Sequence, residues 1–342
     1  MISKLKIFSM KNFLYRSRFI LLIVLTFSCK KKTSESNYGT GCYPAKFYLY
    51  SNDTFPVIKQ HLTTIYPVGP FWEYPQEKTW ISAFFNPNND FEIVYSTGIP
   101  DVLEKEIWKY SFCTNQAIKL VSDQYYGLDY SSKGWVLYTG TGHKIYKVKD
   151  NGDSLMLLTP QSGYNRAGKW NPSGTLFWND RDDGVSIHDD NGNVIKIIST
   201  NPFEPFDWVN DSTLIGWRNY NFYSMNIYTE DLANLNNKIT QSPAGRAYSS
   251  KENACFVIKN GGQGQDDFLL KYSLDGSNII DTVDKMYDSY MYIPTDVSHT
   301  NRVIGRLDRQ FWKDSTTYQI YRYWQIGFFD LENKTQRIVN LP

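Results

Sequence analysis

The chain of 342 residues carries 36 Lys and Arg against 35 Asp and Glu, a formal net charge of +1. So even a balance offers no basic field for a polyanion such as nucleic acid, and its 4 Cys and 4 His fall in no C-x-x-C or Cys/His spacing that would support a zinc site. Aromatic residues are plentiful (26 Tyr, 20 Phe and 10 Trp), and their even spread suits strands whose faces pack against neighbouring sheets.

In chain order, a basic stretch (Lys4, Lys6, Lys11, Arg16, Arg18) precedes the apolar run Phe19-Ile20-Leu21-Leu22-Ile23-Val24-Leu25. That run is shorter than the ~20 residues a bilayer span requires, so it reads as an export signal. Its end, Thr26-Phe27-Ser28-Cys29, resembles a bacterial lipoprotein signal, with residues 1–28 removed and Cys29 lipidated as the mature N-terminus. Thr26 and Phe27 depart from the Leu and small residue that family favours, which leaves cleavage by the ordinary signal peptidase open. Lys30, where an Asp would retain such a protein in the inner membrane, makes the resemblance imply the outer membrane, on its periplasmic side or at the cell surface. Loss of five basic and no acidic residues leaves 31 Lys and Arg against 35 Asp and Glu, so membrane contact is expected through the lipid alone.

Residues 29–45 are polar and without periodicity, as in a flexible tether. Lys46-Phe47-Tyr48-Leu49-Tyr50 reads as one strand, and the aromatic stretch Tyr66 to Trp80 as a strap packed on the domain that follows. The remaining cysteines, Cys42, Cys113 and Cys255, read as free buried thiols, because Cys113 and Cys255 lie in distant repeats.

From Asn86 onward a segment recurs six times, with turns opening at Asn86, Tyr130, Asn171, Trp208, Tyr248 and Val297. A period of about 40–45 residues holding four short strands is the signature of a propeller blade. The expected fold is therefore all-β, a six-bladed β-propeller of four-stranded antiparallel blades over residues 46–342, with blades starting near 81, 127, 167, 205, 245 and 293. Asn151-Gly152, Asn191-Gly192 and Asp275-Gly276 place residues tolerant of positive φ between apolar runs, as tight hairpins require. The runs Leu155-Met156-Leu157-Leu158 and Val194-Ile195-Lys196-Ile197-Ile198 predict strands covered on both faces.

Trp170-Asn171-Pro172-Ser173-Gly174-Thr175-Leu176-Phe177-Trp178 resembles the W-S-P-D-G-x-x-I-x-F turn of TolB-type propeller repeats, with Asn171 for Ser and Ser173 for Asp. Ile107-Trp108-Lys109-Tyr110, Ile145-Tyr146-Lys147-Val148, Ile227-Tyr228 and Leu270-Lys271-Tyr272 resemble that family's I-Y-x-x strand, and Leu158-Thr159 and Ile239-Thr240 its L-T ending. The resemblance spans about residues 80–342 and implies an interaction role in the periplasm. It does not imply the same partner, since the separate N-terminal α/β domain of TolB has no counterpart before Tyr66.

Blade alternation gathers the mid-blade loops and inter-blade links on one mouth of the ring. The candidate ligand-binding residues there are Arg166, Arg181, Asp182, Trp217, Arg218, Tyr220, Arg246 and Arg306. Arginine beside aromatic or amide groups suits carboxylates, peptide carbonyls or sugars, while pairing with acids such as Asp182 and Asp308 is the plainer alternative. Asp189-Asp190-Asn191-Gly192-Asn193 alternates oxygen ligands like a calcium loop, but Val194 and Thr200 stand where that loop needs Gly and Glu, so a hairpin is expected. His61, His143, His188 and His299 are each alone, and no nucleophile elbow or phosphate loop occurs.

The sequence thus predicts a lipid-anchored, non-catalytic protein without cofactor or metal, binding an envelope protein or a polymer such as peptidoglycan or another polysaccharide. Two alternatives stay open. One is glycan capture by Trp217 and Tyr220. The other is a propeller enzyme, a glycan hydrolase or lyase or a calcium-dependent lactonase, using channel carboxylates drawn from Asp180, Asp182, Asp183, Asp266, Asp267 and Asp308.

Overall fold

Turn chemistry repeats at fixed places along the chain. Gly134, Gly174, Asn253 and Asn301 all adopt positive φ, with values of 72°, 64°, 44° and 59°, one or two residues before the second strand of their unit. Glycine and asparagine are the residues that enter this region at least cost. Gly152 and Gly192 (φ 83° and 88°) do the same at the last hairpin of theirs. At Gly192 a Cβ would also lie 2.2 Å from the Leu158 carbonyl oxygen, so the Asn191-Gly192 turn admits no larger residue. Asp189 Oδ1 accepts hydrogen bonds from the backbone N–H of Asn191 and Asn193, which makes this segment a hairpin.

The computed structural model describes residues 47–49, 71–73, 79–98, 105–159, 165–181, 184–198, 203–219, 221–236, 245–259, 267–274, 280–286, 290–314, 319–332, 335–339 and 341, all within the compact unit Thr40–Pro342. Every regular element among them is a strand. Cys29, Asp182, Tyr220, Asp183, Asp266, Cys42, Ile239-Thr240 and Asp275-Gly276 lie outside the described residues.

Strands β1 (Phe47–Leu49) and β2 (Phe71–Glu73) precede β3 (Thr79–Asn86), β4 (Asn89–Gly98), β5 (Lys105–Ser111) and the long β6 (Gln116–Tyr130). β7 (Trp135–Gly140), β8 (Lys144–Lys149) and β9 (Leu155–Leu157) complete a sheet ordered β3-β4-β5-β6-β7-β8-β9. β6 is shared: its first half pairs with β5 and its second half, from Gln124, with β7. Three four-stranded antiparallel sheets follow in simple sequence order. The first holds β10 (Asn165–Trp170), β11 (Leu176–Arg181), β12 (Gly184–Asp189) and β13 (Val194–Ile198). The second holds β14 (Glu204–Asn210), β15 (Thr213–Arg218), β16 (Asn221–Asn226) and β17 (Leu232–Asn236). The third holds β18 (Arg246–Ser249), β19 (Ala254–Lys259), β20 (Asp267–Ser273) and β21 (Ile280–Met286). The last sheet, of β22 (Tyr290–Val297), β23 (Arg302–Asp314), β24 (Gln319–Asp330) and β25 (Thr335–Val339), gains β1 on β25 and β2, in parallel, on β24.

The core lies between successive sheets. Leu137, Ile145, Leu158, Trp170 and Phe177 fill one such interface, and Trp178, Ile187, Trp208, Leu214 and Met225 belong to the next. Ala83, Phe85, Ile93 and Tyr95 of the first strands pack against Ile304, Ile326 and Phe328 of the last sheet. The arrangement of four-stranded antiparallel sheets is propeller-like.

Polar contacts reinforce this first-to-last interface. The fully buried Asp90 accepts at Oδ2 from both the backbone N–H and the hydroxyl of Thr300, each at 2.7 Å, with His299 Nδ1 3.6 Å from Oδ1. Burial alone would raise the Asp90 pKa; the bonds from His299 and Thr300 outweigh it and hold the carboxyl below its ordinary range.

Four expectations are corrected. β9 and β13 are the outermost strands of their sheets, where no neighbouring sheet covers them, so Leu155, Val194 and Ile195 are 58%, 46% and 50% exposed. Ile227-Tyr228 falls in the turn after β16, because Asn226 Oδ1 accepts from the Tyr228 N–H and ends the strand, leaving Tyr228 exposed. Cys113 is disulfide-bonded. Cys255 alone, among the described residues, is a free buried thiol, and burial raises its pKa well above the ordinary range. Trp217 is buried, packed edge-on against Phe222 and beside Tyr248 and Tyr272.

Replacing Asp90 by Ala strands the Thr300 N–H and hydroxyl at this interface. The expected loss is about 1–3 kcal/mol in urea unfolding at pH 7. Because the wild-type carboxyl titrates below its unfolded value, its contribution is present above about pH 4 and lost as pH falls further, so the deficit should shrink in acid.

Candidate functional site

One residue in each of β3, β6, β10, β14, β18 and β22, the one just before the aromatic or apolar residue that opens the turn, occupies a common register: Phe84, Asp129, Lys169, Asp207, Ala247 and Asp296. In this register the charged side chains meet. Lys169 Nζ donates to Asp207 Oδ2 at 2.7 Å and to the Thr295 carbonyl at 3.3 Å, and sits 5.4 Å from the Phe84 ring centroid. Asp129 Oδ2 accepts from the Trp170 N–H at 2.7 Å, and Asp296 Oδ2 from the Phe85 N–H at 2.9 Å. Asp129 thereby fastens β6 to β10 of the next sheet, and Asp296 fastens β22 of the last sheet to β3 of the first.

The electrostatics follow from burial. Asp129 is 8% exposed, and desolvation pushes its carboxyl well above the usual range against the pull of Lys169. Desolvation raises Asp296 to about 6, with Lys169 opposing. Burial works against the Lys169 ammonium too, but Asp207, Asp296 and Asp129 outweigh it and hold its pKa above that of ordinary lysine.

Lys169 also borders an open cavity of about 620 Å³ lined mainly by β3, β6, β10, β14 and β22. Its apolar wall includes Ile81, Phe84, Leu128, Phe206 and Ile293, and its polar groups come from Ser82, Lys105, Gln124, Lys169, Thr295 and Arg306. No carboxylate, imidazole or thiol belongs to the lining among the described residues. Two further features stand out. Gln124, 3% exposed, gives its Nε2 to the Gly127 carbonyl while its Oε1 accepts from nothing. Trp178, 9% exposed, has an indole Nε1 that donates to nothing. Its ring lies against Gly168, where a Cβ would stand 2.0 Å from it; glycine lets the indole reach the lining.

Of the sequence-predicted residues, Arg306 lines this cavity. Arg166 is set 5.4 Å over the ring of Tyr126, a lining residue, and Arg246 lies 6.0 Å from lining Phe206 and 5.3 Å from Trp217. Arg246 also pairs with Glu204 at 3.4 Å. Arg181 and Arg218 end β11 and β15, half-buried, and neither is part of the lining. Burial takes Trp217 off the mouth: it is a platform under Arg246 rather than an exposed ring for glycan stacking. Asp180 opposes Arg166 across β10 and β11, and the acids gathered between the first strands are instead Asp129, Asp207 and Asp296.

Sequence reasoning missed Asp129, Lys169, Asp207, Asp296, Lys105 and Trp178. A signal for four of them existed, in charged residues recurring one place before the turn aromatic in strands that are otherwise apolar.

No protein-family model matches the chain, and no curated protein matches it in sequence. Among solved structures, it is similar to a putative TolB from Agrobacterium tumefaciens, 12% identical, over 77% of this chain and 88% of that one, with a TM-score of 0.51. It is likewise similar to an oligogalacturonate lyase from Vibrio parahaemolyticus, 11% identical over 77% and 79% of the two chains, TM-score 0.50. A match to TolB from Acinetobacter baumannii, 12% identical with a TM-score of 0.34, covers 76% of this chain and only 54% of that one. The likeness is one of fold, that of a TolB-like β-propeller.

The raised pKa of Asp296 has a definite sign. The folded state keeps a proton that the unfolded state releases near pH 4, so this group lowers stability as pH rises from about 4 to 6 and leaves it level beyond. Urea unfolding of Asp296→Asn should therefore gain on wild type across that interval, by on the order of 1 kcal/mol or more; a difference constant from pH 4 to 7 would contradict the assignment.

Proposed function

We propose that this chain is a six-bladed, lipid-anchored propeller of the outer membrane that binds an envelope partner through the mouth of its channel. The observation that carries the reading is the open cavity between the sheets, with cationic, aromatic and hydrogen-bonding groups in its wall. Six units follow if the long β6 is divided at Gln124, where its partner changes from β5 to β7, and if β22 to β25 form the unit that meets β3. The disulfide at Cys113 accords with export to an oxidising compartment. Among the described residues the lining holds cations and no carboxylate, imidazole or thiol, which supports binding over hydrolysis.

A second reading, an enzyme acting on an acidic glycan, draws on one observation: Asp296, with its pKa near 6, lies beside the cavity-bordering Lys169. Formation of an unsaturated product from oligogalacturonate, lost in Lys169→Met, would favour it.

For the binding reading, a photocrosslinking amino acid placed at Tyr126, on the cavity wall, is expected to give a discrete adduct in intact cells. The same group at Met156, on the outermost β9, should give none. Adducts from Met156 alone would overturn the assignment of the face. Cys29→Ser is expected to move the protein from the membrane pellet to the soluble periplasmic fraction; unchanged pelleting would contradict the anchor.

A further inference from the structure

We infer that the cavity recognises the acetamido group of an N-acetylated sugar, whose N–H is given to Gln124 Oε1 and whose carbonyl accepts from Trp178 Nε1. The inference rests on the reading above that the cavity is the binding site, and it names the ligand chemistry that this wall selects.

The polar side chains of the lining divide by whether they are already engaged. Ser82 shares a hydrogen bond with the Ser96 hydroxyl at 2.9 Å, Thr295 gives its hydroxyl to the Ala83 carbonyl at 2.6 Å, and Lys169 donates to Asp207. Lys105, Tyr126 and Arg306 each have an interaction of their own, so none of them is assigned to the ligand. Two atoms are left. Gln124 Oε1 and Trp178 Nε1 have no partner among the described residues, on residues only 3% and 9% exposed. A buried acceptor or donor left unmet is costly, and a ligand that meets it recovers that cost. One uncharged acceptor and one uncharged donor are the complement of a single secondary amide, which carries one N–H and one carbonyl. Gly168 admits the indole to this wall, since a Cβ there would stand 2.0 Å from the ring.

The rest of the wall decides what flanks the amide. Ile81, Phe84, Leu128, Phe206 and Ile293 cover a methyl group well and offer no side-chain partner to a hydroxyl. A polypeptide would bring a further N–H and carbonyl with every residue it buried, and the lining holds no second unmatched acceptor side chain among the described residues. An acetamido group buries one amide and one methyl. Because the cavity is open, the hydroxylated ring that carries the group stays at the mouth, in water. Such a division, an apolar wall with a few polar atoms that fix orientation, is the ordinary plan of a small-ligand pocket.

The test measures binding to the detergent-solubilised full-length protein by saturation transfer to the ligand's methyl protons. The probes are the methyl β-glycoside of N-acetylglucosamine, its analogue with an acetate ester in place of the acetamide, and the capped dipeptide N-acetyl-Ala-Ala-N-methylamide. The glycoside is expected to bind roughly tenfold tighter than the ester, which keeps the carbonyl and loses the N–H. In Gln124→Met that preference should vanish, whereas Trp178→Phe should weaken glycoside and ester alike, by roughly tenfold, and keep their ratio. Lys196→Gln, on the outermost β13, should change neither. With nitrogen-labelled tryptophan, the indole N–H resonance missing from Trp178→Phe should move downfield when the glycoside is added; a Trp178 that only packs would leave it in place. Unfolding curves of the variants separate lost binding from lost fold.

Equal binding of glycoside and ester to the wild type overturns the inference, as does binding of neither. If the dipeptide binds more than about tenfold tighter than the glycoside, the sugar reading falls to a polypeptide while the cavity remains the binding site. If no probe binds and the Tyr126 crosslinker is also silent, both readings fall together.

Discussion

The contacts between the innermost strands converge on one lysine whose side chain is only 11% exposed. Lys169 donates to Asp207 at 2.7 Å and, with Asp129 and Asp296 close enough to shift its pKa, offsets carboxylates contributed by three other first strands. A buried carboxylate without a counter-charge costs several kcal/mol, and here the carboxylates also hold the backbone N–H groups of Trp170 and Phe85. The electrostatic and backbone parts of the clasp are therefore the same atoms. Removing the lysine withdraws the condition under which Asp129 and Asp296 can reach across to the next strand.

From this constraint the cavity follows. First strands drawn together by Asp129, Asp207 and Asp296 leave room on one side for the lining of Gln124, Trp178 and Arg306, with Lys169 at its border. Arg166 and Arg246 are kept near this wall by rings: Tyr126 under the first, and Phe206 and Trp217 under the second. Stacking of Arg246 on the buried Trp217 is worth up to about 2 kcal/mol, whereas Arg166 on the exposed Tyr126 gains about 0.5–1 kcal/mol. Trp217 thus supports Arg246 from beneath.

The sequence declared the architecture because the turns repeat in chemistry: an Asn or Gly must stand before each second strand where φ is positive, as at Gly134, Gly174, Asn253 and Asn301. Leu158-Thr159 was legible for a similar reason, since Thr159 Oγ1 accepts from the Ile145 N–H and Leu158 is buried between sheets. Outer strands misled because β9 and β13 are as apolar as inner ones, and nothing local states that a strand stands at the outer edge of its sheet. The Cys113 disulfide was missed because only a bridge to Cys255 was weighed. The axial cluster was missed because its members lie about 40 residues apart, so each looks like a lone charge until the units are set in register. Arginines were found for their chemistry, but which of them face the cavity depended on strand ends that residue type does not mark.

The most direct measurement is the urea unfolding free energy of Lys169→Met as a function of pH. Wild-type Lys169, with its pKa above the ordinary lysine value, contributes evenly through neutral pH. Its removal at pH 8 should cost about 3–5 kcal/mol, the scale for breaking a buried ion pair. The cost should fall steadily toward pH 5, as Asp129 and Asp296, whose carboxyls burial already raises, take up protons in the variant. A loss under about 1 kcal/mol, or one that does not change with pH, would contradict the claim that this lysine holds the ring together.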